Sequence, residues 1–201
     1  MAYFLSNDSS SSLRHLAYSL FLLSRHANLH IVIADGDFQL AVTREGKEYY
    51  FRFVPAFNPQ KSPFVHDLYP FTDLFYRRYY DYYDYAGGVV IDVGGYVGET
   101  AVYFAKNGAS KVHVYEPNPV NYQYLVKNVE INNVSKIVES WNLGISKGKH
   151  ILVVPKELGG AGSLDRESRA GTSYEVPTSA PRSIFGPERQ VSLLKIDCKG
   201  C

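Results

Sequence analysis

The residues of this chain best placed to do chemistry stand in one run, Asp92-Val93-Gly94-Gly95-Tyr96-Val97-Gly98-Glu99-Thr100. Two glycines and the short apolar run Val89-Val90-Ile91 precede it, the composition of a strand buried on both faces of a parallel sheet. Residues 101–106 follow with helical composition and stop at Asn107-Gly108. Strand, glycine-rich turn and helix start together form a nucleotide-type binding loop. Glycine lets the backbone approach a ligand, and the first N–H groups of a helix lack internal partners. The loop is not a dinucleotide fingerprint, because aligning G-x-G-x-x-G on Gly95 and Gly98 puts Val93 where the first glycine belongs. Nor does it end in the Gly-Lys-Ser/Thr of a phosphate loop. Asp92 at the strand tip would repel a pyrophosphate but attract an ammonium group. The bland alternative is a plain glycine turn.

A second unit repeats the pattern. Lys111-Val112-His113-Val114-Tyr115 reads as a strand and ends in Glu116-Pro117-Asn118-Pro119. An acidic residue at the end of the second strand, roughly 20 residues past the glycines, is where ribose hydroxyls are gripped. Asn118 reads as an N-cap with Pro119 at the first helical position, and the helix runs to about Ile131 before Asn132-Asn133. Glu116 alone is compatible with a solvated strand end. Paired with Asp92, it points to a nucleoside that carries an amino-acid group and no phosphate, as S-adenosylmethionine does. Residues 136–140 read as a third strand. Val191-Ser192-Leu193-Leu194-Lys195-Ile196 reads as a buried fourth strand whose tip, Asp197, lies at the ligand-binding edge of an open α/β sheet.

These blocks resemble the FkbM family of class I, Rossmann-like S-adenosylmethionine-dependent methyltransferases. The resemblance rests on I-D-V-G-G-Y-V-G-E-T at 91–100, V-Y-E-P-N-P at 114–119, N-L-G-I-S at 142–146 and L-L-K-I-D-C-K-G-C at 193–201. It implies an α/β fold with a mainly parallel sheet and helices on both faces. It also implies that Asp92, Gly94, Gly95, Tyr96, Gly98 and Thr100 hold the methionine end of the cofactor. Glu116, with Pro117 and Asn118, would take the ribose; Trp141 and Asn142 would lie near the adenine. Asp197 and Lys199 would face the methyl-transfer site, where Asp197 orients the acceptor or takes its proton. The implied reaction is O-methylation of a hydroxyl on a small molecule or glycan, with S-adenosylhomocysteine as product and no metal. Lys199 stands where the family has glutamate, and the family's pattern continues past the position of Cys201. The implied sheet order, 3-2-1-4-5-7-6, is therefore represented by its 3-2-1-4 half.

The rest of the chain frames this core. A length of 201 residues fits one domain with a small extension, divided here as an N-terminal cap over 1–63 and a methyltransferase core over 64–201. A formal charge of +1 leaves no footprint for nucleic acid or an anionic membrane. Cys198 and Cys201 are the only cysteines, and a C-x-x-C without a second pair or a His pair is more simply a strand-end turn than a metal or redox site. With no disulfide framework, a reducing cytoplasm is expected. Leu13, Leu16, Ala17, Leu20 and Leu23 recur at helical spacing, and the apolar stretch is too short to span a bilayer. Residues 30–34, 38–43 and 48–54 read as a three-stranded meander with turn clusters between them. Residues 64–85 read as helical with an interruption near Pro70. Their tyrosine-rich half is either an aromatic wall beside the cofactor or, the reading preferred here, a packing surface with a homo-oligomer contact. An exposed fourth-strand edge is a second candidate contact. Residues 155–190 read as a lid, a binding loop or a disordered stretch, with a hairpin pairing 174–178 to 150–154. Two other classes compete with an enzyme of this kind: a degenerate cofactor-binding module that serves only interactions, and a nicotinamide dehydrogenase, disfavoured by Val93 and Asp92.

Overall fold

The computed structural model of the chain describes residues 20–25, 27–34, 37–53, 65–146, 150–154, 172–185 and 190–197. A helical turn over 20–24 leads into a meander of β1 (Asn28–Ala34), β2 (Asp37–Arg44) and β3 (Lys47–Phe53). Then come α1 (Val65–Phe75), β4 (Val89–Val93), α2 (Glu99–Lys106), β5 (Lys111–Tyr115), α3 (Pro119–Ile131) and β6 (Val138–Trp141). The short strands β7 (Gly144–Ile145), β8 (His150–Val154), β9 (Thr172–Val176) and β10 (Thr178–Ser179) precede a 3-10 turn, Pro181–Phe185, and β11 (Leu193–Ile196).

The central sheet has the order β11-β4-β5-β6, all parallel, which makes the fold Rossmann-like. Its central strands β4 and β5 form from valine- and isoleucine-rich runs, and their alternation divides the core in two. Val90, Val112 and Val114 face α2 and α3, packing with Val102, Phe104, Leu125 and Val129. Ile91, Val93 and Tyr115 point the other way, onto Ile145 and Ile184. The meander lies beyond the helices and shares their core: Leu40, Val42, Tyr49, Phe51 and Phe53 join Phe71 and Phe75 of α1. Ring centroids of Phe51 and Phe71, and of Tyr49 and Phe75, are 5.0 Å apart.

Two asparagines fasten the meander. They lie four residues apart on α3, so they project from one face of the helix, and each offers the open edge of β3 what a neighbouring peptide would. Asn132 accepts from Tyr50 N at 3.0 Å and donates to Tyr50 O at 2.5 Å. Asn128 accepts from Arg52 N at 2.7 Å and donates to Arg52 O at 2.9 Å. Its amide also donates to Val97 O at 2.8 Å, so one buried side chain joins the meander, a helix and the glycine-rich turn.

Two expectations change. The helix over 64–85 runs through Pro70 but ends at Phe75, and the tyrosine-rich residues after it form a series of turns in which Arg78 is left-handed (φ 60°). Asp81 fixes those turns, accepting from Arg44 at 2.7 Å, from Arg78 Nε at 2.5 Å and from the Tyr103 hydroxyl. Burial alone would raise the Asp81 carboxyl, yet these donors hold it below its usual range. Tyr80 and Tyr85 turn inward, edge-on to Phe104 at 5.0 and 5.1 Å, while Tyr79, Tyr82 and Tyr83 face outward. The fourth strand is not buried throughout. It ends the sheet among the described residues, with Leu194 and Ile196 exposed and Lys195 turned inside. The expected helix before residue 20 lies outside the described residues, as does most of the 155–190 loop, although β8 and β9 do pair antiparallel. Among the described residues no helix is long and apolar enough to cross a membrane.

Replacing Asn128 with Ala strands Arg52 N–H, Arg52 O and Val97 O in a buried site. The expected loss is about 2–4 kcal/mol in urea unfolding, whereas Tyr82→Ser on the exposed turn stays within about 0.5 kcal/mol.

Candidate functional site

The C-terminal ends of β4, β5, β6 and β11 converge on the glycine-rich turn. Parallel pairing of β11 with β4 sets Lys195 opposite Asp92. Both are buried, and Lys195 Nζ lies 2.7 Å from Asp92 Oδ1 and 3.0 Å from Gly94 O. The other Asp92 oxygen accepts from Thr100 Oγ1 at 2.5 Å. Burial alone would lower the Lys195 ammonium, but Asp92 and Glu99 outweigh it and hold the group charged.

The turn closes on itself. Gly94 and Gly98 are left-handed (φ 84° and 85°), and so is Tyr96 (φ 47°). Gly94 N and Gly95 N donate to Tyr115 O at 2.9 and 3.0 Å, Tyr96 N donates to Glu116 Oε2 at 2.8 Å, and Gly98 N donates to Gly95 O at 2.7 Å. A Cβ on Gly95 would stand 2.1 Å from Val114 Cγ2, so only glycine fits between turn and sheet. Four N–H groups of the turn itself are therefore engaged within the protein.

Glu116 supplies one such side chain. Its second oxygen accepts from Asn118 N at 2.8 Å, and the Asn121 side chain adds a further bond. Each carboxylate oxygen keeps lone-pair capacity for a hydroxyl. Burial pushes Glu116 up to about 7, against the pull of Asn118, Tyr96 and Asn121. Asn118 caps α3 as expected, accepting from Val120 N at 2.9 Å. Asn142 donates to Glu116 O at 2.8 Å and Pro117 O at 3.1 Å, which fixes the turn that carries Glu116. Trp141 stacks on Tyr115 (4.9 Å, 14°) and on His113 (5.4 Å, 29°), a half-buried aromatic face at the end of β6. Asp197 is exposed at the tip of β11, anchored through its N–H to Val93 O at 2.9 Å.

The sequence reading placed Asp92, Gly94, Gly95, Tyr96, Gly98, Thr100, Glu116, Pro117, Asn118, Trp141, Asn142 and Asp197 at one sheet edge, and they are found there. Lys199, with Cys198 and Cys201, lies outside the described residues. The Asp92 oxygens meet Lys195 and Thr100 of the chain itself. Three residues were missed. Lys195 was signalled by being the one charge in an apolar strand. Glu99, first in α2, is 3% exposed, and its Oε2 has no hydrogen-bond partner among the described residues. Burial pushes Glu99 up to about 8, with Lys195 pulling the other way. Tyr80 comes from the tyrosine-rich turns and is pushed up to about 12, first by burial, in the field of Lys195, Asp92, Asp197 and Glu99.

Residues 92–201 match the methyltransferase FkbM domain, more than half of the chain. The chain belongs to the FkbM methyltransferase family. The matched region begins at Asp92 and takes in the turn, Glu116, Asn142 and Asp197. Among solved structures, a presumed transferase from Pyrococcus horikoshii is similar to the chain at 20% identity with a TM-score of 0.35. The similarity covers 55% of this chain and 37% of that one. No curated protein matches.

Breaking the buried pair with Lys195→Met is expected to cost about 3–5 kcal/mol in urea unfolding, against less than about 0.5 for Lys111→Met at the exposed Glu139 pair. Stability also has a sign with pH. Glu99 and Glu116 titrate near 8 and 7 in the fold, above their ordinary 4.5, so the folded chain binds more protons than the unfolded one across that window. Their contribution to stability therefore falls as pH rises from about 4.5 to 8. Thermal melts at pH 5, 6, 7 and 8 are expected to show a steeper decline for the wild type than for Glu99→Gln.

Proposed function

We propose that this FkbM domain binds S-adenosylmethionine and transfers its methyl group to a hydroxyl oxygen on a small molecule or glycan in the cytoplasm. One observation carries the reading. Asp92, Glu99 and Glu116, three carboxyl groups, are buried around the glycine-rich turn, and Lys195 is already bonded to Asp92. A pyrophosphate would meet carboxylates and turn amides already in use, whereas a ligand with hydroxyls and a positive group suits them.

The residues fit such a cofactor. The unpartnered oxygen of Glu99 and the remaining lone pairs of Glu116 provide acceptors for an ammonium and for ribose hydroxyls. The Trp141–Tyr115 face offers apolar cover for a base beside Asn142. When bound, the cofactor supplies a methyl group on a sulfonium, a leaving group that needs no acid. The protein's part is then chiefly to hold an acceptor oxygen in line with that methyl and to exclude competing water. Transfer of that methyl group to a hydroxyl oxygen would release the hydroxyl proton. Asp197, exposed at the tip of β11, would be the carboxylate to receive it, with Lys199 following in sequence.

Calorimetric titration tests the reading. S-adenosylhomocysteine is expected to bind near micromolar, about −8 kcal/mol, and Glu116→Ala to weaken it at least about tenfold. NAD is expected to give no heat. If neither S-adenosyl compound bound, the reading would fail and an interaction module would be the better description.

A further inference from the structure

The carboxyl cluster at the turn is incomplete. Asp92 has a partner for each oxygen, Lys195 and Thr100. Glu116 has one for each as well, Asn118 N and Tyr96 N. Glu99 is buried as well, yet among the described residues its Oε2 has none, and the bond it makes is to its own backbone N–H. A buried acceptor left bare costs about 1–3 kcal/mol, so one that persists beside a binding turn points to a partner that arrives from outside. The charges say what kind. Glu99 sits in the field of Asp92 on β4, Glu116 after β5, Lys195 on β11 and Tyr80 on the tyrosine-rich turns. Among the described residues, three carboxyl groups thus share one cation, Lys195. Among the described residues no three acidic, imidazole or thiol groups converge as a metal ion needs. A compact hydrogen-bonding cation completes the set.

We propose that Glu99, rather than Asp92, receives the α-ammonium group of the ligand's amino-acid end, while Asp92 is held by Lys195 as a fixed strut under the turn. The assignment rests on the S-adenosyl reading above and names the positioning residue within it. It also makes binding proton-linked. Glu99 without a ligand holds a proton at neutral pH because burial raises it to about 8, and an ammonium bound against it drives that proton off.

The test compares S-adenosylhomocysteine with methylthioadenosine, which keeps the nucleoside thioether and lacks the ammonium and carboxylate. Titration of the wild type with S-adenosylhomocysteine at pH 7, in buffers of different ionisation enthalpy, is expected to release about one proton. Glu99→Gln is expected to bind S-adenosylhomocysteine at least about tenfold more weakly, with no proton released, and methylthioadenosine as the wild type does. Tight binding of S-adenosylhomocysteine by the wild type without proton release would overturn the assignment whether or not the variant folds. Equal affinity of wild type and Glu99→Gln would do so too, leaving the S-adenosyl reading intact. Failure of the wild type to bind either compound would overturn both.

Discussion

The ion pair between Lys195 and Asp92 joins residues 103 apart in the chain, and the site depends on it. Desolvating an ammonium or a carboxylate costs several kcal/mol, so neither can be buried here without the other. That constraint fixes register. With side chains alternating along β11, a slip of one residue would carry Lys195 into solvent, strand Asp92 in the core and turn Leu194 inward. The pair need not be a net gain in stability to do this, since a well-packed apolar substitute often does as well. What it supplies is a single permitted alignment of the first and last strands of the sheet, and through Gly94 O the starting point of the turn.

From that point the turn is held on all sides. Tyr115 O takes two of its amides, Glu116 a third, and Asn128 binds the Val97 carbonyl from α3. Because Asn128 also holds β3, the meander is structurally continuous with the turn rather than an appendage to the sheet. A loop so tied has little freedom left to lose when a ligand binds, which favours affinity without requiring new backbone contacts.

Local signals made much of this legible. Asn118-Pro119 announced a helix start, and a side-chain cap is there. The apolar runs ending in Asp92, Glu116 and Asp197 announced parallel strands, and their tips do meet. What the sequence hid depends on partners distant along the chain. Nothing near Asp81 tells that Arg44 and Tyr103 will draw it inward and end α1 before the tyrosine-rich residues. The run 191–196 looked uniformly buried because its apolar residues are obvious, whereas the inward position belongs to Lys195, which only Asp92 explains. Likewise Asn128 and Asn132 looked like ordinary helix residues until an open strand edge was set beside them.

The charge of the whole molecule conceals the charge of the site. At a formal +1 the chain has little long-range field, and salt screens exposed charges beyond about 10 Å at 0.1 M. Ligand choice is therefore made at contact distance, where low polarisability magnifies each unbalanced group. There the hydrogen-bonding balance is uneven among the described residues. Lys195 answers Asp92, the backbone amides answer Glu116, and Glu99 answers nothing within the described chain. The sheet edge that serves dinucleotides in other α/β folds thus carries three buried carboxyl groups here, and under the proposed reading the one without a side-chain partner among the described residues is what selects the ligand.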